Sequence, residues 1–340
     1  MAAIARVRTP FWRNARTLEI LGQVFFILVL AAGLWGGRVA LQQSFHRQNI
    51  RLDWGFFRQP AGFELTALTW TIDLETWRLK DYEPTDSYAE AMIAGLFNTI
   101  KVALLGIVLA TILGVLVGIA RLSRNWLVSR LALVYVEAFR NTPLLVQLFF
   151  WYFAVMLQLP NGSPQQPPIR FFGDFVVLTN AGLALGGTVV ERFGRLMVDG
   201  GVQLTTEFTA LMFGLATYTG AFIAEIIRGG ILAISRGQME AARSLGLSQG
   251  QALRFIVLPQ ALRIVIPPLG NQFLNLTKNS SLALGIGYAE FLTVTNTVSS
   301  QSFRSLEAFT FVTVGYLALS LIISAVLNLI RARLGLAAAT

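Results

Sequence analysis

The sequence predicts an all-α polytopic membrane protein with about six transmembrane helices. Of its 340 residues, 54% are hydrophobic and 13% are charged, whereas a typical soluble domain has roughly 25% charged residues. Uncharged apolar runs such as residues 102–120 are long enough to cross a hydrocarbon core of roughly 30 Å. Basic residues concentrate in alternate connections: one set carries thirteen arginines and one glutamate, and the other carries nine basic and twelve acidic residues. By the positive-inside rule, both termini are predicted to lie in the cytoplasm.

Residues 1–41 are predicted to form a short cytoplasmic segment and an extra transmembrane helix. Arginines precede the apolar run at residues 20–37. A cleaved signal peptide is the alternative, but Arg38 and bulky residues follow the run instead of a small-residue cleavage site. Residues 42–92 are polar, acidic and rich in aromatic side chains, and their short alternations do not add up to a domain core. We interpret them as a periplasmic loop that lies partly on the membrane interface.

The main membrane domain is predicted to cover residues 93–333, followed by a cytoplasmic tail at 334–340. Its first helix carries Gly106, Gly114 and Gly118 on one face. Because small residues let helix backbones approach closely in a membrane, this face is predicted to pack against a neighbouring helix.

The middle of this domain contains a helix break, an insert and a charged pair. Pro143 is expected to interrupt a helix, giving a short helix, a bend and then a spanning part that ends near residue 159. Residues 160–205 are too polar and too rich in glycine for a span, and we interpret them as a periplasmic insert. In the next span, Glu225 and Arg228 stand three residues apart and are predicted to pair. A structural role and a place in the substrate pathway both remain open for this pair.

The apolar block at residues 264–291 contains an unusual number of polar side chains. Asn271, Asn275 and Lys278 recur at steps of four and three, so they share one helical face, and Asn279 follows directly. Polar groups have no water partners in hydrocarbon, so they must face the bundle interior or an aqueous cavity. We interpret this face as the candidate translocation pathway. Hydrogen bonding between helices is the alternative, and Lys278 can equally bind a substrate carboxylate or neutralise an acidic neighbour.

Residues 235–263 form a polar, basic stretch between two apolar blocks. Ser235 and Ser248 are each followed three residues later by glutamine, which predicts two capping boxes and hence two short helices. Gly246 is placed to end the first helix in a left-handed conformation, and Pro259 is expected to end the second.

The first of these helices is predicted to dock into a groove of a partner. Met239, Ala242 and Leu245 share its apolar face, although a helix of this kind can also be a mere connector. The stretch carries six residues of a known signature: Glu240, Ala241, Ala242, Gly246, Leu258 and Pro259. They resemble the EAA loop of permease subunits of bacterial ATP-binding-cassette (ABC) importers. Four flanking segments resemble the polar amino acid branch of these importers: residues 139–147, 224–230, 267–272 and 278–282.

This resemblance covers residues 95–333 and implies the type I importer permease core for the last five helices, with a cytoplasmic coupling loop at 235–263. It also implies partners: two ATPase subunits, a second permease subunit of identical or related sequence, and a periplasmic amino acid-binding protein. The chain has three lysines, none of them in a phosphate-binding loop. We therefore expect no cofactor in this chain, with ATP and Mg used by the partner ATPase.

Composition argues against other classes of function. The chain has no cysteine and one histidine, His46, so it has no thiolate nucleophile, no Cys-ligated metal and no His cluster. No pair of convergent acid-base groups lies outside the loops either, so a non-catalytic protein is predicted. Its basic residues sort by membrane side and form no single patch, which argues against nucleic acid. The alternative function is a stand-alone secondary transporter or channel for small polar solutes. A broken, polar fifth span would fit that class, but the class does not account for the loop at 235–263.

Overall fold

The computed structural model describes residues 15–47, 52–65, 69–163, 165–192 and 195–333. The chain divides into two compact units, Met1–Asp53 and Trp54–Thr340. The described part of the first unit is helix α1, Ala15–Arg47, whose apolar side chains are exposed along almost its whole length. As predicted for the extra helix, α1 is long and apolar enough to cross a membrane. The basic residues before residue 15 and the tail at 334–340 lie outside the described residues.

The second unit is mainly helical. Its helices are α2 (Tyr88–Ala120), α3 (Trp126–Asn141), α4 (Leu144–Phe149), α5 (Thr206–Leu232), α6 (Arg236–Ser244), α7 (Gln249–Ala252), α8 (Leu258–Asn279), α9 (Phe291–Ser302) and α10 (Ser305–Arg333). Within the described residues, five helices including α1 are long and apolar enough to span a membrane, and Leu144–Gln158 is a shorter apolar helix. The prediction of a polytopic fold with about six spans is confirmed.

Helices α2 and α5 make the most extensive helix–helix contact among the described residues. Helix α2 starts in a capping box, in which the Ser87 and Glu90 side chains each bond the other's backbone N–H. Further along α2, a methyl group on Gly114 would lie 2.5 Å from Ile223, and one on Gly118 would lie 2.8 Å from the Ala224 carbonyl oxygen. No side chain fits at these distances, so the glycine face sets the spacing of the two helices, as the sequence predicted.

Helices α3 and α4 are separated by the break expected at Pro143. Helix α3 ends at Asn141, and α4 continues through a π-helical segment to Gln158. The Gln147 amide donates to the carbonyls of Phe139 (2.8 Å) and Thr142 (2.9 Å). The side chain of Gln147 thus satisfies backbone acceptors that the interrupted helix leaves open, which fixes the bend.

The prolines of the fifth span behave differently from the prediction. Pro259 does not end a helix: a π-helical segment, Leu253–Val257, joins α7 to α8, and Pro259 is the second residue of α8. A proline is tolerated there because the first N–H groups of a helix need no intrahelical acceptor. Pro267 and Pro268 also lie inside α8, so Gln249–Ile286 forms one helical segment. The broken span that supported the stand-alone transporter alternative is therefore not present.

The described residues of the insert at 160–205 form strands and no helix long enough to span a membrane. It forms a four-stranded antiparallel sheet of order β3-β4-β5-β8 and a separate hairpin β6-β7. The strands are β3 (Ile169–Phe171), β4 (Val176–Thr179), β5 (Gly182–Leu185), β6 (Thr188–Arg192), β7 (Arg195–Asp199) and β8 (Val202–Thr205). Strand β8 runs directly into α5, whose first turn is capped by the Thr205 hydroxyl. The second unit is thus a helical bundle with a small sheet attached at the start of α5.

The segment before α2 contributes to a core, contrary to the prediction for residues 42–92. It holds a short hairpin, β1 (Trp70–Ile72) with β2 (Leu79–Asp81). The Lys80 ammonium donates to Asp86 (2.7 Å), and this hydrogen bond raises the pKa of Lys80 above its ordinary value. Phe56 is buried with Met92 of α2 and Phe291 of α9 in one hydrophobic cluster. The aromatic residues of this segment therefore include a buried anchor.

Candidate translocation face and coupling loop

The polar face predicted on α8 is exposed in this chain. Asn271, Asn275 and Lys278 are all exposed, whereas Leu276 and Thr277 are buried on the opposite side of the same helix. Asn279 is half-buried beside them. The segment that contains them is a candidate membrane span. The bundle thus presents a row of polar side chains outward from a helical segment that is long and apolar enough to span a membrane.

Glu225 is the centre of a charge cluster at the end of α2. Arg228 binds both of its carboxylate oxygens, with an Nη2–Oε2 distance of 2.9 Å, so the predicted pair is present. Arg121, which follows the last residue of α2, donates to the other side of the same carboxylate. The guanidinium of Arg140 lies 5.1 Å from the ring centre of Phe222 on the same helix as Glu225. The carboxylate therefore ties α2 to α5 and has two cationic partners.

These two sets of predicted pathway residues are separate in the structure. Among the described residues, no hydrogen bond joins Glu225 or Arg228 to Asn271, Asn275 or Lys278. The Arg121 partner was missed in the sequence because it lies 104 positions from Glu225, beyond any local spacing rule. The geometry favours a structural role for the charged pair and leaves the α8 face as the pathway candidate.

The loop at 235–263 contains the first predicted short helix, α6, whereas the predicted second helix is the start of the long segment that continues into α8. Gly246 has a φ of +87°, the left-handed conformation predicted for it. Its N–H donates to the Arg243 carbonyl (3.0 Å), and the Leu247 N–H donates to the Ala242 carbonyl (3.2 Å). This pair of bonds is a Schellman motif that closes α6.

The two predicted capping boxes have different outcomes. Ser248 and Gln251 form theirs, with both reciprocal bonds present. Ser235 starts α6 but its side chain makes no capping bond. The side chain of Gln238, which was predicted to bond Ser235, instead accepts a hydrogen bond at Oε1 from Nε2 of Gln260 on α8 (3.4 Å). A long-range contact has therefore replaced a local one.

The surface of α6 differs from the predicted apolar docking face. Ala242 is only 3% exposed and Met239 is half-buried, whereas Leu245 is 84% exposed. The remaining signature residues Glu240, Ala241, Gly246, Leu258 and Pro259 are exposed. Ala242 is therefore covered by the chain itself, and Leu245, which follows the last residue of α6, is the most exposed side chain of the predicted apolar face.

Sequence reasoning also missed a buried acidic residue. Glu290 is fully buried at the start of α9, where its side chain accepts from the Thr293 N–H. Glutamate is not among the preferred N-cap residues, so the sequence carries no capping signal for this position.

Apolar helices of spanning length, one with a polar outward face, together with a folded loop at one end of the bundle, define a polytopic membrane transport subunit. A comparison with known families identifies it further. The model of the binding-protein-dependent transport system inner membrane component matches residues 91–336. The chain therefore belongs to this family.

Individual relatives indicate the branch of this family to which the chain is most similar. The chain is 35% identical to the general L-amino acid transport system permease protein AapQ of Rhizobium johnstonii, over 94% of this chain and 92% of that protein. It is 32% identical to the glutamine transport system permease protein GlnP of Escherichia coli, over 72% and 92% respectively. A solved structure, described as an amino acid ABC transporter with histidines, matches with a TM-score of 0.55 and 29% identity. That match covers 72% of this chain and 95% of the solved one. The chain is thus a multi-pass inner-membrane permease subunit of the amino acid branch of ABC importers, as the motifs indicated.

Proposed function

We propose that this chain lines one half of the translocation pathway of an ATP-driven amino acid importer and transmits the motion of a separate ATPase. The observation that carries the proposal is the exposed face of Asn271, Asn275 and Lys278 on a candidate span. A charged residue at the centre of a lipid-facing helix costs roughly 2.5 to 3.5 kcal/mol on insertion scales. A second permease subunit, identical or related, would enclose this face and replace lipid by a water-filled path.

The coupling loop is the proposed contact with the ATPase. Glu240 and Ala241 are exposed on α6, and Gly246 closes this helix in a fixed geometry. The loop is polar and basic, which by the positive-inside rule favours a cytoplasmic position for it and for both termini. Two ATPase subunits, which use ATP and Mg, would each hold one such loop in the assembly and move α6 as they close.

The transported substrate is proposed to be an amino acid, delivered by a periplasmic amino acid-binding protein. The names of the relatives support this class: one is a general L-amino acid permease and another is a glutamine permease. The exposed amides and ammonium on α8 supply donors for a carboxylate and acceptors for an ammonium group, which every amino acid carries.

Reconstitution of the purified assembly tests this function. The assembly is isolated through a tag on this chain, placed in proteoliposomes with ATP and Mg on the loop side, and given binding protein and labelled amino acids on the other side. We expect ATP-dependent uptake that is lost in Glu240→Lys and kept in Gln249→Lys, which also introduces a lysine but at an exposed site outside the signature. Uptake by this chain alone, without ATPase and ATP, would contradict the proposal and support the secondary transporter alternative.

The orientation can be tested independently of transport. The chain contains no cysteine, so Arg243→Cys creates a single labelling site on α6. We expect an impermeant maleimide to leave it unmodified in intact cells and to modify it after the membrane is opened. Labelling in intact cells would place the loop outside, where no cytoplasmic ATPase can reach it.

A further inference from the structure

An apolar groove lies at the end of the bundle beside the coupling loop. Leu116 and Ile119 at the end of α2 line it, together with Leu253 and Leu258 from the segment where α7 continues into α8. The groove has a volume of about 840 Å³, and these four side chains are exposed. Ligand pockets have volumes of roughly 300 to 1,000 Å³, so the groove is large enough to hold an organic ligand.

The groove lies on two candidate membrane spans. Both α2 and the helical segment Gln249–Ile286 are long and apolar enough to cross a membrane. The groove is lined by Ala120, the last residue of α2, and by Gly250 at the start of the other segment. Exposed apolar surface at such a position is covered by lipid or by another protein, because contact with water is unfavourable. The charges around the groove favour lipid.

Two arginines at the groove are available to an anion. Arg254 lines the groove, is exposed, and forms no ion pair among the described residues. Arg124, which is also exposed and forms no ion pair in the described part of the chain, directly follows Ser123 of the lining. The neighbouring Arg121, by contrast, is bound to Glu225. Arginine is well suited to phosphate because its guanidinium can donate two parallel hydrogen bonds to it.

A second groove of the bundle provides a comparison. It lies between α2, α8 and α10, has a volume of about 410 Å³, and is lined by apolar residues and Thr277. No basic residue is among its described lining, so hydrocarbon chains or another helix would cover it equally well. The arginine is what sets the groove beside the coupling loop apart. Basic pockets between helices on the cytoplasmic side bind the head groups of anionic lipids.

We propose that the groove beside the coupling loop binds one anionic phospholipid of the cytoplasmic leaflet, with an acyl chain against Leu116 and Leu253 and the phosphate held by Arg254. This inference rests on the proposed cytoplasmic position of the loop, because the negative surface potential that attracts arginine belongs to that leaflet. The lipid contacts the end of α2 and the segment that leads from the coupling loop into α8. It thereby links the loop that meets the ATPase to the helix that carries the polar face.

Native mass spectrometry of the purified assembly tests the site without transport. The assembly is stripped of lipid in detergent and mixed with equal amounts of phosphatidylglycerol, which is anionic, and phosphatidylcholine, which has no net charge. We expect one phosphatidylglycerol to be retained for each copy of this chain, with about fivefold preference over phosphatidylcholine, which is the preference that one arginine near an anionic lipid provides. Equal retention of the two lipids, or release of phosphatidylglycerol by excess inorganic phosphate, would overturn the proposal.

Four variants locate the binding to this groove. Arg254→Gln should remove the preference, and Arg254→Lys should retain most of it because the charge remains. Arg236→Gln is the matched control, since it removes the same charge at an exposed position of α6 outside the groove, and it should retain the full preference. Val128→Trp fills the groove from α3 without a change of charge and should release both lipids. Equal loss in Arg254→Gln and Arg236→Gln, or unchanged retention in Val128→Trp, would place the lipid elsewhere and overturn the proposal.

Failure of this inference and failure of the proposed function give different results. Lipid retention is measured without ATP, binding protein or amino acid, so an assembly that shows no uptake but retains phosphatidylglycerol through Arg254 supports the lipid site and contradicts the proposed function. A protein in the groove, such as the second permease subunit, would exclude both lipids from the unmodified assembly while uptake persists. That outcome would overturn the lipid site and leave the proposed function in place.

Discussion

Replacing Gly246 by alanine tests the left-handed backbone conformation of the coupling loop without changing its charge or creating a steric clash. Gly246 has a φ of +87°, and a methyl group built on it would meet nothing within 4 Å. The substitution therefore adds no clash, and its effect comes from the left-handed conformation alone. That conformation costs an L-residue about 1 to 2 kcal/mol, which shifts the balance between the closed and the frayed end of α6 by a factor of about 5 to 30.

Hydrogen exchange and uptake measure this shift together. The N–H groups of Gly246 and Leu247 close α6 through bonds of 3.0 and 3.2 Å, so we expect their protection to fall by that factor in Gly246→Ala, with a fall in ATP-driven uptake. Gly237→Ala is the control, because Gly237 lies within the same helix and the nearest atom to an added methyl is 4.0 Å away. It should stabilise α6 by about 0.5 to 1 kcal/mol. Unchanged exchange in Gly246→Ala, or equal loss of uptake in both variants, would refute the reasoning.

Three further predictions concern other parts of the bundle. Gly114→Val should overpack the α2–α5 contact, cost about 1 to 3 kcal/mol and lower the thermal unfolding temperature, whereas Gly229→Ala, which has open space around it, should not. Lys278→Ala should change the KM or maximal rate of uptake while the amount of protein in the membrane stays constant, and unchanged kinetics would return Lys278 to a structural role. The hydrogen bond to Asp86 raises the pKa of Lys80 in the folded protein above its ordinary value of 10.5. The stabilisation of the folded state by this pair is therefore complete below pH 10.5, and it is lost as the pH rises through the raised pKa of the folded protein. The difference in unfolding temperature between the unmodified protein and Asp86→Asn should therefore shrink above about pH 10.5, and a constant difference would contradict the assignment.

Much of the helical framework was predictable because its signals accumulate over many residues. A membrane span is recognised from hydrophobicity averaged over about twenty residues, so no single residue decides it. The glycine face of α2 and the polar face of α8 follow from helical spacing alone. The break at Pro143 was predictable for a local reason, since proline removes one helical hydrogen bond and favours a kink or break. The Gly246 conformation was predictable because glycine is the residue that adopts it without strain.

The missed features depend on contacts that no short window contains. The insert has strands of only three to five residues separated by glycines, too short for a periodic signal. Pro259 was predicted to end a helix, but a π-helical segment directly before it joins α7 to α8, and the helix continues. Arg121 and Thr99 each reach a carboxylate more than 100 positions away. Helix α9 has only twelve residues, many of them Thr or Ser, and its burial depends on neighbouring α2.

The junction between the sheet and the bundle constrains the order in which the chain is assembled. Strand β8 ends at Thr205 and α5 begins at Thr206, with no residue between them. Strand β5 pairs with β8 across the whole β6–β7 hairpin, so the sheet is incomplete until the last residues before α5 have been made and have left the membrane-insertion machinery. The strand that completes the sheet therefore continues directly into the first turn of α5, and a deletion that shortens the β6–β7 hairpin would leave this junction in place.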